Sequence, residues 1–174
     1  NALTEQEKAA GLFTPEVMWK MGRVGGAALS PDGTRVVYSV TYYNLGENKG
    51  VTSLWLVPVG GGSARQLTDN VGNDSDPRWS ADGAKIYFMS DRSGDGQVWS
   101  VEVSSGAMSQ ISSITDGIDG FGIAPTGDKA FYVRRVHVEK RASADVHPDM
   151  EKSKGLIYDD LMARHWNYWD RGDY

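Results

Sequence analysis

The sequence contains no cysteine in its 174 residues, so neither a disulfide nor a thiolate metal centre is available to it. No apolar run approaches 18 residues, which excludes a membrane-spanning helix. Positive charge is in deficit: 18 Lys and Arg stand against 23 Asp and Glu, giving a formal net charge of −5 and a pI near 5.1. Such a surface argues against a nucleic-acid partner. No G-x-S-x-G stretch is present, so no nucleophile elbow exists in which a serine could be activated. The three histidines, His137, His147 and His165, have no convincing serine partner. No catalytic residue, metal ligand or cofactor is therefore expected within this chain.

Glycine, by contrast, is abundant at 21 residues, which favours many tight turns over long helices; a 40% hydrophobic share suffices for one packed domain. The turns recur. LSPDGTRVVYSV from Leu29, WSADGAKIYFMS from Trp79 and IAPTGDKAFYVR from Ile123 share one pattern, with offsets of 50 and then 44 residues. SLWLVPVGGGSARQLT from Ser53 matches QVWSVEVSSGAMSQIS from Gln97, again 44 residues apart, with Trp55 over Trp99 and Leu67 over Ile111. The first unit thus carries six extra residues within TYYNLGENKGVT, expected as a longer loop between its second and third strands. In the second unit the pattern predicts strands near Asp76–Trp79, Lys85–Met89, Gln97–Val103 and Met108–Ile111. Alternation places Trp99, Val101 and Val103 on one face and Ser100 and Glu102 on the other. Four short strands repeating every ~40–45 residues are the signature of a β-propeller blade. The expected fold is all-β, an incomplete β-propeller of four-stranded antiparallel blades.

The two ends break this pattern. Residues 1–23 read as a helical lead-in, with Thr14 as N-cap, Pro15 at the first helical position, and Val17, Met18 and Met21 at helical spacing. Residues 24–138 hold blades one and two and the first half of blade three. Residues 139–174 read as a helical insertion in the third blade, since Ile157, Leu161 and Tyr168 fall near one helical line and Tyr158, Met162 and Trp166 near another. A propeller closes with typically ~4–8 blades, and two and a half would leave apolar edges unpaired. The chain is accordingly expected to be the N-terminal part of a longer protein. It begins with Asn1, as removal of a signal peptide or trimming would give; signal-peptide removal makes a periplasmic or secreted location the expectation.

Several motifs imitate ligand sites. Asp91 to Glu102, DRSGDGQVWSVE, fits a calcium-loop pattern. A strand over Gln97–Val103 would carry Glu102 roughly 16 Å past residue 97 at ~3.3 Å per residue, out of reach of the same ion. Asp91, Ser93 and Asp95 are instead expected to cap a turn. Asp69, Asp74 and Asp76, between the first two units, are likewise expected in Asx turns. Gly60 to Ser63 is no phosphate loop, because no Lys-Ser/Thr follows, and Arg171-Gly172-Asp173 reads as a chance adhesion tripeptide. What remains is the stretch holding His165, Trp166, Tyr168, Trp169 and Asp170, which is either a helix packed on the propeller or a ligand-facing wall.

LSPDG, WSADG and SDRSGDGQVW resemble the blade motifs of propellers in the prolyl oligopeptidase family and in TolB-like proteins. FTPEVMWKMGRVGGAALSPDG and DLMARHWNYWD are more specifically similar to the propeller start and inserted helix of the dipeptidyl-peptidase V and acylaminoacyl-peptidase-like branch of that family, over Phe13 to Asp170. The resemblance implies a serine exopeptidase that removes dipeptides from the N-termini of short peptides. Its Ser-Asp-His triad would lie on a C-terminal α/β-hydrolase domain absent from this chain, which would be inactive alone. The propeller would gate access and help bind the substrate N-terminus, whose cationic amine a carboxylate can anchor. Relatives use a Glu pair in a motif like D-W-x-Y-E-E, whereas Trp166-Asn167-Tyr168-Trp169-Asp170 keeps W-x-Y without that pair. Asp170 is then the implied anchor, with Trp166, Tyr168 and Trp169 beside it and Asp159 and Asp160 behind it. The implied partners are peptide substrates and the C-terminal remainder of the propeller and hydrolase, on the same polypeptide or a nicked second chain. No nucleic-acid or membrane partner is implied, and homodimerisation is left open. The alternative is a non-enzymatic, TolB-like propeller for protein interaction.

Overall fold

The computed structural model describes residues 3–124 and 126–135 and, beyond them, the backbone of four two-residue strands. Two short helices, α1 (Glu5–Ala10) and α2 (Pro15–Lys20), lead into blade one, formed by β1 (Arg23–Leu29), β2 (Arg35–Asn44), β3 (Lys49–Pro58) and β4 (Arg65–Gln66). Blade two follows as β5 (Asp74–Trp79), β6 (Lys85–Ser90), β7 (Gln97–Glu102) and β8 (Met108–Gln110), and blade three starts with β9 (Gly120–Ile123) and β10 (Ala130–Val133). Both four-stranded sheets run in sequence order with antiparallel neighbours. These blades lie in one compact unit, Asn1–Val133; a second unit covers Arg134–Tyr174.

Side-chain chemistry in the repeated turn explains why each unit folds back at the same place. Ser30 Oγ donates to Asp32 Oδ1 at 2.5 Å, and Asp32 accepts from the Thr34 amide at 3.0 Å. The Arg35 amide donates to Ser30 Oγ at 2.9 Å. Blade two repeats this atom for atom, through Ser80 to Asp82 at 2.6 Å, Ala84 N to Asp82 at 3.0 Å and Lys85 N to Ser80 Oγ at 2.9 Å. Gly33 and Gly83 sit at φ +71° and +69°, where a side chain would be strained. The Ser30 hydroxyl and the Thr34 donors hold the Asp32 carboxyl down at about 2. In blade three Thr126 bonds to Asp128 around Gly127, a similar corner with both the hydroxyl and the carboxylate moved two residues along.

The main core lies between blades one and two. Val37, Leu54, Leu56 and Leu67 meet Ile86, Phe88, Val101 and Val103, with Trp79 and Trp99 packed against them. A second core joins Val98 of blade two to Ile118 and Phe121, flanked by Tyr87, Met89, Ile114 and Ile123. The expected alternation along β7 holds, with Trp99, Val101 and Val103 in the main core, and Ser100 on the opposite face is itself only 5% exposed. Blade two is covered on both faces, so the face opposite Trp99 and Val101 also loses water, and a small hydroxyl fits there.

The six extra residues of blade one also differ from the expected loop. The β2–β3 ladder runs unbroken from Arg35↔Pro58 to Asn44↔Lys49, while β6–β7 runs from Lys85↔Glu102 to Ser90↔Gln97. Each strand is thus four residues longer and the turn two residues shorter. Tyr42, Tyr43, Val51 and Thr52 favour pleated pairing, and the Thr41 and Thr52 hydroxyls bond across the ladder at 2.8 Å. Thr14 caps α2 as expected, accepting from the Val17 amide, with Pro15 in the first turn and Val17 buried. α1 was not foreseen, although Thr4-x-x-Glu7 spells its capping box.

In the second unit, β11 (Arg141–Ala142) pairs with β12 (Leu156–Ile157), and β13 (Arg164–His165) pairs antiparallel with β14 (Tyr168–Trp169). Six of these residues, Leu156–Ile157, Arg164–His165 and Tyr168–Trp169, fall where a helix is expected and are extended; the rest of that expected helix lies outside the described residues. Aromatic residues such as Tyr168 and Trp169 suit pleated pairing, and that preference overrides the helical spacing.

Candidate functional site

The turn that imitates a calcium loop, residues 91–96, closes the β6–β7 hairpin. Asp91 accepts from the Asn73 amide at 2.7 Å and from Asn73 Nδ2 at 2.8 Å, while Gly94 at φ +110° donates to the Asp91 carbonyl at 2.9 Å. Glu102 lies at the far end of β7, paired with Lys85 Nζ at 3.1 Å. The two carboxylates that end the motif serve opposite ends of one hairpin.

Arg92, in the same turn, folds inward and is only 7% exposed. Its Nη2 holds both oxygens of Asp74, at 3.0 and 2.8 Å, and reaches Asp69 at 3.2 Å. Nε donates to Ser90 Oγ at 3.0 Å and Nη1 to Met108 Sδ at 3.2 Å. The guanidinium also lies 5.2 Å from the Trp99 ring centroid and 5.7 Å from that of Phe88. Asp74 is 0% exposed, so burial pushes its carboxyl above the usual range, against the pull of donors from Ser90, Thr68 and Arg92. Of the three aspartates expected in Asx turns, Asp74 is instead the buried counter-ion of Arg92. Asp76 sits at φ +47° beside a bulge in β5 and pairs with Arg78 at 3.1 Å, and Asp69 accepts from the Val71 amide. The repeat could not reveal the buried pair, because Val24 and Ile118 stand in register with Asp74 in the other units.

A second arginine is held differently. Arg23, the first residue of β1, places its guanidinium carbon 4.8 Å from the Trp19 ring centroid and 4.5 Å from that of Tyr43, and those two rings meet edge to face at 5.5 Å. Arg23 is exposed, and no carboxylate among the described residues pairs with it. A third feature is an apolar cleft of about 410 Å³ beside β9 and β10, lined by Tyr87, Val98, Ile114, Ile118, Phe121 and Phe131. Beside it Phe131 is 65% exposed.

Of the substrate-binding residues implied by sequence, Trp166 and Asp170 lie outside the described residues, as do Asp159 and Asp160. Tyr168 and Trp169 form β14. Among the described residues no three His, Asp or Glu side chains converge as a metal-binding group.

Comparison with known proteins fits these observations to one family. The TolB β-propeller domain family matches residues 14–157. Dipeptidyl-peptidase 5 of Porphyromonas endodontalis is 33% identical over 166 residues, covering 95% of this chain and 24% of that protein. The chain spans about a quarter of the length of the dipeptidyl-peptidase 5 relatives from Porphyromonas endodontalis and Porphyromonas gingivalis. Among solved structures, an acylaminoacyl peptidase in complex with a chloromethyl ketone aligns at TM-score 0.66 and 19% identity, covering 89% of this chain and 22% of that one. A TolB structure from Agrobacterium tumefaciens aligns at TM-score 0.51 and 27% identity, covering 64% and 38%. The chain belongs to the TolB β-propeller domain family, and the branch it resembles is the propeller part of prolyl oligopeptidase-family peptidases.

Proposed function

We propose that this chain is the propeller portion of a serine dipeptidyl-peptidase, in which the blades restrict entry to short, unfolded peptides and residues 166–170 help hold the substrate N-terminus. The observation that carries this reading is the reach of the similarity. A match over 95% of the chain continues past residue 157, where the match to the TolB β-propeller domain family ends. A protein-interaction disc of the TolB kind accounts for α2 and the blades and leaves the residues after 157 without a purpose. The serine nucleophile belongs on a hydrolase domain outside these residues, and the location suited to such scavenging of peptides is the periplasm or the exterior.

The test uses the whole protein that contains these residues. It should release dipeptides from short peptides with a free α-amine, lose that activity on treatment with a serine-directed fluorophosphonate, and reject the Nα-acetylated substrates. Asp170→Asn should raise KM for a dipeptidyl substrate by roughly tenfold or more, the worth of a hydrogen bond to a charged group, with kcat little changed. Equal cleavage of acetylated and free substrates would sink the exopeptidase reading, and absence of any hydrolysis would favour the interaction disc.

A further inference from the structure

Blade two shows what a minimal blade of this protein needs. Its β6–β7 hairpin stops at Ser90↔Gln97, whereas β2 and β3 of blade one continue for four more pairs. Tyr43 lies in that continuation, and Trp19 comes from α2, which precedes the blades. Neither residue has a counterpart in blade two, yet together they build the corner in which Arg23 rests. Rings attract a guanidinium through their π faces rather than through oxygen acceptors, so the aromatic corner restrains the side chain without pairing its charge with a carboxylate. Arg92, the arginine of the Asp74 network, is spent on protein groups, whereas Arg23 is exposed and pairs with no carboxylate among the described residues.

We propose that Arg23 is a specificity-determining group that takes a carboxylate of a peptide ligand. This rests on the reading of the protein as a peptide-processing propeller. The planar fork matches a carboxylate with two parallel hydrogen bonds, and restraint by two rings removes much of the entropy cost of ordering a long side chain. A single arginine on a chain of net charge −5 suits one carboxylate rather than a polyanion. Two sources share this chemistry, the C-terminal carboxylate of a short peptide and an Asp or Glu side chain within it.

The experiment is titration calorimetry on the whole protein with a backbone-methylated, cleavage-resistant tripeptide in three forms: free acid, C-terminal amide, and amide bearing one Asp side chain. The free acid or the Asp-bearing amide should bind about tenfold more tightly than the plain amide. Arg23→Gln should remove that preference while leaving affinity for the plain amide unchanged, which also reports that the fold is intact. Arg23→Lys, which keeps the cation on the rings but loses the fork, should keep only part of the preference. Whichever carboxylate form binds tightly identifies the source. Equal binding of all three forms by the wild type, or an Arg23→Gln protein that keeps the preference, would reduce Arg23 to a staple between α2 and blade one. Because binding is read without turnover, a protein that prefers the acid but hydrolyses nothing would uphold Arg23 and overturn the peptidase reading.

Discussion

At the level of single residues, the Asp74–Arg92 pair makes the sharpest demand on stability. Asp74 is fully buried and Arg92 nearly so, and removing Asp74 leaves the buried guanidinium with only the half-exposed Asp69 as counter-ion. Asp74→Ala in the whole protein should therefore cost about 3–5 kcal/mol in urea unfolding, whereas replacing both residues by apolar ones should cost much less. Glu7 supplies a pH-dependent counterpart on the surface. Its carboxyl is lowered from 4.5 to about 2 by the Lys20 ammonium and then by the Thr4 donors. A depressed carboxyl stabilises above its unfolded value and ceases to do so as pH falls through the folded value. Hydrogen-exchange protection in α1 should thus be full above about pH 4.5 and fade toward pH 2, and Glu7→Gln should remove the dependence. The two groups differ in how legible they were. Glu7 forms a local motif with Thr4, readable from spacing alone, while Asp74 acquires its meaning only when Arg92, 18 residues later, folds back over it.

Among elements, the turns and strands of blade two follow from residue type and alternation, because each depends on neighbours in sequence: Ser80, Asp82 and Gly83 make the corner wherever they occur. Three features needed information from beyond the element. Ser100 is buried although it lies opposite Trp99 and Val101, the TYYN stretch extends a ladder because its partner strand can follow, and Arg164–His165 pairs with Tyr168–Trp169 despite helical spacing. Close approach between elements gives a testable case at Gly72. A Cβ there would stand 2.8 Å from the Arg92 amide nitrogen and 2.9 Å from Ser90 Oγ, and a backbone atom cannot swing aside. Gly72→Ala should destabilise the protein by about 1–3 kcal/mol through overpacking, measured as a lower urea midpoint. Gly60→Ala is the control: nothing lies within 4 Å of its added Cβ, and its stability should change by less than about 0.5 kcal/mol.

For the whole molecule, the propeller was legible because its period is written three times, whereas the implied substrate residues Trp166 and Asp170 stand in a segment the repeat does not govern. Blades gain their burial from neighbours, and among the described residues blade three has blade two on one side only. β10 pairs only with β9 among the described residues, and Phe131, Tyr132 and Val133 are 65%, 52% and 56% exposed along it. An unpaired apolar edge strand is a template for another chain. The 174 residues expressed alone should therefore self-associate in a concentration-dependent way by sedimentation velocity, while the whole protein should show no association through this edge. Phe131→Lys with Val133→Lys should suppress the association of the isolated chain, since edge lysines oppose pairing. A monomeric, cooperatively unfolding 174-residue protein would instead mean that two and a half blades are a self-sufficient fold, and the proposal that it works as part of a longer peptidase would lose its physical basis.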